Sequence, residues 1–188
     1  MSVSTATASW VKSVEHFWFS EIGADVWFKP NAAIDESIPT RFLAIHEQVV
    51  ADFYPTTAAS SADRAVASVI VLDQFPRNMF RGTPRAFATD HFALTVARAA
   101  IEQGFDNVLD KHRRLFMYLP FEHSENLYEQ HRAVELIGIL GDSELLRYAL
   151  AHRDIIARFG RFPHRNAILG RASTPEEVEF LKQPDSAF

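Results

Sequence analysis

Apolar positions recur along nearly the whole chain at the spacing of one helix face. Trp10, Val14, Phe17 and Trp18 fall at i, i+4, i+7 and i+8, the stripe of a helix with one buried side. Ile34, Ile38, Phe42, Ile45 and Val49 repeat the pattern, with Pro39 expected to kink or split that helix. Ser60-Ser61-Ala62-Asp63 has the form of a capping box, and its helix should run through Phe75 and end at Pro76. Thr83-Pro84 supplies an N-cap and a first-turn proline for a helix carrying Phe87, Leu94, Ala97 and Ile101, closed by Gly104. Asp110 caps a segment from Lys111 to Leu119 that Pro120 stops. Ser124 opens a helix with Leu127, Val134, Ile137 and Leu140, closed by Gly141. Ser143 opens another with Leu145, Ala149, Ile156 and Phe159, closed by Gly160. Thr174-Pro175-Glu176-Glu177 then combines a capping box with a first-position proline ahead of Val178, Phe180 and Leu181.

The run Val69-Ile70-Val71-Leu72 is β-branched, but it lies inside a capped helical frame longer than a usual strand. The pattern therefore predicts an all-α fold of about eight helices in antiparallel hairpins with short joints. Hairpins of this length suggest a stacked, solenoid-like arrangement. The Ser/Thr/Ala-rich residues 1–9 predict a frayed N-terminus, leaving 10–188 as a single domain.

At 188 residues one domain is expected, and it should bury roughly 70% of the surface its unfolded chain exposes. The chain has no cysteine, which removes disulfides, thiol nucleophiles and thiolate-bound metals, and suits a reducing compartment. The first ten residues, MSVSTATASW, carry neither the basic nor the apolar region of a signal peptide. No apolar run approaches the ~20 residues of a membrane span. These features predict a cytoplasmic protein with no membrane partner. A net charge of −5 argues against nucleic-acid binding, which needs a basic surface to neutralise phosphates. The charge is uneven, however. Residues 1–60 hold three Lys/Arg against seven Asp/Glu, whereas residues 153–171 hold five arginines against the single Asp154.

Three polar segments carry more chemistry than a helical scaffold requires. The first runs from Asp73 to Asp90, holds Phe75, Arg77, Asn78, Arg81 and Arg85, and is interrupted by Pro76, Gly82 and Pro84. Read as a loop, it forms an anion-gripping wall; read as a connector, its arginines cap helix ends and pair with Asp73 and Asp90. The second runs from Pro120 to His131, where Glu122, His123 and Glu125 flank a helix start. These are groups that acid–base chemistry uses, although with Ser124 as N-cap Glu125 complements the helix dipole and His123 is simply the residue before the cap. The third runs from His152 to Arg171 and alternates Arg161, Phe162, His164, Arg165 and Asn166. His152 itself falls on the apolar helix face, where a histidine is more often hydrogen-bonded core than catalyst. No paired-histidine metal spacing, nucleophile elbow, phosphate loop or dinucleotide fingerprint is present, so no metal and no cofactor is expected.

The strings LDQFPRNMFRGTPRAFATD, YLPFEHSE and HRDIIARFGRFPHRNAILGRASTPEE, with the opening FWF and WF, resemble a bacterial family catalogued as domain of unknown function 924. The resemblance runs from about Val14 to the C-terminus. It implies a fold similar to tetratricopeptide-like helical superhelices, and it supplies no reaction or catalytic residues. Pro39 departs from the unbroken second helix that the resemblance leads one to expect.

Two functional readings follow, both requiring the three segments to meet around one concavity. In the first, Arg77, Arg81, Arg161 and Arg165 hold a small anion or a carboxylate-bearing peptide. Asn78, Arg85 and Asn166 add polar contacts, and Phe75 and Phe162 form the apolar floor. In the second, a hydrolase or lyase draws its acid–base pair from His123 or His164 with Glu125 or Asp73, an arginine stabilising the oxyanion. A scaffold for partner proteins is a third possibility. Trp10, Phe17, Trp18 and Phe19 exceed one narrow face and suggest a homodimer contact.

Overall fold

Side chains at the helix starts satisfy the amides that each first turn leaves without partners. Asn31 accepts from Ala33 N and Ile34 N, Ser61 from Arg64 N, Asp142 from Glu144 N and Leu145 N. Thr174 and Glu177 close the capping box that the sequence announces. The computed structural model describes residues 3–184 and 186, with side chains from residue 9 onward, and every regular element among them is helical. The expected fraying of residues 1–9 falls largely on side chains outside the described residues; the backbone is helical from Val3.

In chain order the helices are α1 (Val3–His16), α2 (Ala32–Ala51), α3 (Pro55–Ala58), α4 (Ala62–Val69) and α5 (Phe75–Met79). They continue as α6 (Asp90–Glu102), α7 (Lys111–Glu122), α8 (Leu127–Gly138), α9 (Ser143–Phe159) and α10 (Pro175–Phe180). Wider π turns extend α1 over Phe17–Ile22 and join α4 to α5 over Ile70–Gln74.

The chain divides into two compact units, Met1–Arg81 with Arg85–Pro120, and Gly82–Pro84 with Phe121–Phe188. The core of the first is aromatic. Phe42 stacks on Phe75 at 4.7 Å between centroids, and Trp18 meets Phe75 and Phe116 edge-on at 5.8 and 5.5 Å. Phe17 and Trp18 are thus buried inside this unit, while Trp10 and Phe19 are half-buried. The second unit is built on the α8–α9 hairpin, turned at Gly141 with a left-handed φ of 67°. Phe162 is fully buried in it, and Phe159 packs on Phe180 at 5.0 Å.

Several element boundaries differ from the sequence reading, and prolines cause most of the differences. Pro39 and Pro120 lie inside α2 and α7 and end neither. An internal proline costs about 3 kcal/mol. Fully burying a single Ile or Phe side chain returns ~1.5–3 kcal/mol. Ile38 and Phe42 flank Pro39, and the stretch Leu115–Phe121 flanks Pro120, all buried; continuity wins. Thr83-Pro84 opens only a 3-10 turn (Pro84–Phe87), and α6 begins at Asp90. Asn126, not Ser124, caps α8; Ser124 accepts instead from Asn126 N.

Candidate functional site

Pro76 is the source of the most unusual local chemistry. The π turn shifts the ladder so that Phe75 N bonds Ile70 O, one residue beyond the α-helical partner. Pro76 then has no N–H to offer, which removes the π-spaced partner of Val71 O and the α-spaced partner of Leu72 O. Side chains from outside the helix take their place. His46 Nδ1 lies 3.0 Å from Val71 O, and Thr89 Oγ1 donates to Leu72 O at 2.5 Å. Arg77 Nη1 donates to Asp73 O at 2.6 Å.

The bond to Val71 O fixes the His46 tautomer, because a carbonyl can only accept. Nδ1 therefore carries the proton and Nε2 is left with a lone pair. Burial, with the charge of Arg85 adding to it, pushes the His46 pKa down and keeps the ring neutral. The residue is 5% exposed, and Nε2 has no hydrogen-bond partner among the described residues. His46 lines a cleft of about 280 Å³ with Glu47, Arg85 and Thr89 as its other polar groups. Val50, Ala51, Phe80 and Ala88 give it an apolar wall. The Arg85 guanidinium lies 3.9 Å over the Phe80 ring, on which His46 also packs at 5.7 Å. No carboxylate pairs with Arg85 among the described residues.

The other residues singled out in segment 73–90 are occupied. Asp73 is fully buried, holding Gln74 Nε2 and the Arg77 guanidinium. Phe75 is not the floor of a polar hollow but the centre of the aromatic core. Arg77 donates in a fork to Asp90 at 2.8 and 2.9 Å; against the cost of burial, Asp73 and Asp90 raise its pKa. Asn78 and Arg81 both donate to Asp35, at 2.7 Å and at 2.9 and 3.1 Å. Arg77 thus pairs with Asp73 and Asp90 as a connector arginine would, whereas Arg81 pairs with the distant Asp35.

Segments 120–131 and 152–171 meet in the second unit. Glu125 is clasped by a fork from Arg171 at 2.6 and 2.9 Å and by Phe162 N at 2.8 Å. Against its burial, these donors hold the carboxyl below the ordinary range, so it stays ionised. A carboxylate held by three such donors is a brace for the loop. Arg161 forks onto Glu177 at 2.6 and 2.8 Å, which lowers the Glu177 pKa to about 2. Asn166, fully buried, donates to Ser173 Oγ at 3.0 Å and to Glu177 at 3.3 Å.

Arg165 is buried over the Phe162 ring at 4.4 Å and donates to His123 O at 3.1 Å. His164 packs on the same ring at 5.6 Å. His152 is buried with Nδ1 at 2.9 Å from Tyr148 O and 3.1 Å from the Glu122 carboxylate. Its ring stands 6.5 Å from that of His123. Burial, with the nearby His123 and Arg165, drives its pKa well below that of a free histidine. Among the described residues no group of three or more His, Asp and Glu is placed to hold a metal. No helix among them is long and apolar enough to cross a membrane.

His46, Glu47 and Thr89 escaped the sequence reading. The available signal was the phase of His46, four residues after Phe42 and eight after Ile38, which puts a titratable ring on the buried stripe of α2. Thr89 had no such signal, since its role depends on a carbonyl set free by a proline elsewhere.

A family model described as "Bacterial protein of unknown function (DUF924)" matches residues 14–185. The chain is also similar to a solved structure of a protein of unknown function, ATU0120, from Agrobacterium tumefaciens. The two are 41% identical, the match covers 94% of this chain and 98% of that one, and the TM-score is 0.88. No functionally curated protein matches the chain.

Proposed function

The chain belongs to this DUF924 family of bacterial proteins of unknown function, and we propose that it binds a small carboxylate-bearing molecule in the α2 cleft. One observation carries the reading: Arg85, an arginine with no carboxylate of its own, shares a cleft with the open Nε2 of a neutral, buried His46. Arginine is the side chain best suited to a carboxylate, and a cation already engaged by a carboxylate of the chain would have little to offer one. Arg77, Arg81 and Arg161 are engaged in that way. At about 280 Å³ the cleft is smaller than the ~300–1,000 Å³ of drug-sized pockets, which favours a small metabolite. A hydrolase or lyase reading loses Glu125 and Asp73 as free bases, because both are committed to arginines. We assign the protein to the cytoplasm, as its cysteine-free sequence suits.

Calorimetric titration with short carboxylates tests the proposal. Arg85→Ala should weaken the bound carboxylate at least ~10-fold, as loss of a charged hydrogen bond of about 1.5–3 kcal/mol requires. Arg85 is exposed, so the melting temperature should barely move. Equal affinity in the variant would end this reading.

A further inference from the structure

The cleft does more than offer a cation. Glu47 lines it as well, and Glu47 and Arg85 stay apart, with no ion pair between them. Two opposite charges on one small cleft that do not close on each other leave room for something between them. A plain carboxylate would satisfy Arg85 and be repelled by Glu47. It would also leave His46 Nε2, a lone pair in a largely buried ring, with nothing to accept. Both groups ask for the same complement, a donor that carries positive charge.

Building on the carboxylate reading above, we infer that the ligand is a small α-amino acid held as its zwitterion. Its carboxylate lies on Arg85, and its ammonium donates to His46 Nε2 and Glu47. An ammonium has three donors and no acceptor, which matches an imidazole lone pair and a carboxylate. The short apolar wall of Val50, Ala51 and Ala88 takes an aliphatic side chain of a few carbons. His46 keeps its accepting nitrogen toward the ligand because the proline-freed carbonyl of Val71 holds the other one. The π turn thereby sets the polarity of a group that lies on a different helix.

Three ligands of one carbon skeleton separate the possibilities: L-2-aminobutyrate, 2-hydroxybutyrate and butyrate, each titrated into the full chain. L-2-Aminobutyrate should bind about tenfold or more tighter than butyrate, the scale of one charged hydrogen bond. 2-Hydroxybutyrate should fall between them, since a neutral donor serves His46 without answering Glu47. Glu47 is exposed, so Glu47→Gln should fold normally. It should erase most of the preference for the amine while binding butyrate as well or better. Butyrate binding as tightly as the amino acid overturns the zwitterion and leaves the carboxylate reading standing. A Glu47→Gln variant that keeps the full preference overturns the role given to Glu47. No binding of any of the three overturns both readings.

Discussion

The segment around the π turn and the loop from Gly160 to Glu177 have similar ingredients and opposite outcomes. Both combine arginines, carboxylates and phenylalanines next to a proline. In the loop the groups come in matching sets: Arg161 with Glu177, Arg171 with Glu125, Asn166 with Ser173 and Glu177. Each carboxylate accepts from two or more donors, and the region closes on itself. Around the π turn the backbone is short of donors, because Pro76 withholds one and the wider turn diverts another. His46 and Thr89 are drawn in to compensate, and the cleft they border keeps Arg85 and Glu47 unspent. Density of charge therefore says little about function. What matters is whether the local donors and acceptors exhaust one another.

The largest effect that could break this contrast is expected at Arg77. Arg77→Ala would leave Asp73, wholly buried, without its cation, a loss of about 3–5 kcal/mol for a broken buried pair. Urea unfolding reads this directly, and a loss below about 1 kcal/mol would make Arg77 as expendable for folding as Arg85.

Acid should dissolve the closed loop in a defined window. The folded Glu177 pKa, about 2, lies below its ordinary 4.5, chiefly through the Arg161 hydrogen bonds. Its contribution is therefore complete above about pH 4.5 and lost as the pH falls toward about 2. Glu177→Gln should be less stable than the parent at neutral pH, with the gap narrowing through that window. Circular-dichroism melts at stepped pH show it; a gap that stays constant down to about pH 2 would contradict the closed-loop account.

The smallest effect concerns the freed carbonyls. Thr89→Val removes the donor to Leu72 O while keeping shape, and should cost ~1 kcal/mol, the net value of one buried hydrogen bond. A variant as stable as the parent would mean that Leu72 O needs no side-chain donor.

Much of the helical frame was legible in short stretches. The Thr174 capping box, Asp110 ahead of α7 and the left-handed Gly104 and Gly160 are set by backbone groups within a few residues, and they stand where the sequence puts them. Asp73 and Asp90 were legible partners for Arg77, being close in sequence. The partner of Asn78 and Arg81 was not, because Asp35 lies 43 and 46 residues away. The same holds for Glu125 and Arg171, which are also 46 apart.

Helical phase and several caps, those of Ser61 and Thr174 among them, were thus determined by the sequence alone, since they answer to local backbone donors and side-chain spacing. Whether a proline ended a helix was decided by the tertiary structure, because the burial it competes with comes from distant residues. So was the fate of each polar group. Arg77, Arg81 and Arg85 sit within nine residues of one another. Proximity in sequence pairs the first with Asp73 and Asp90, but only packing brings the second to Asp35 and leaves the third facing an open cleft.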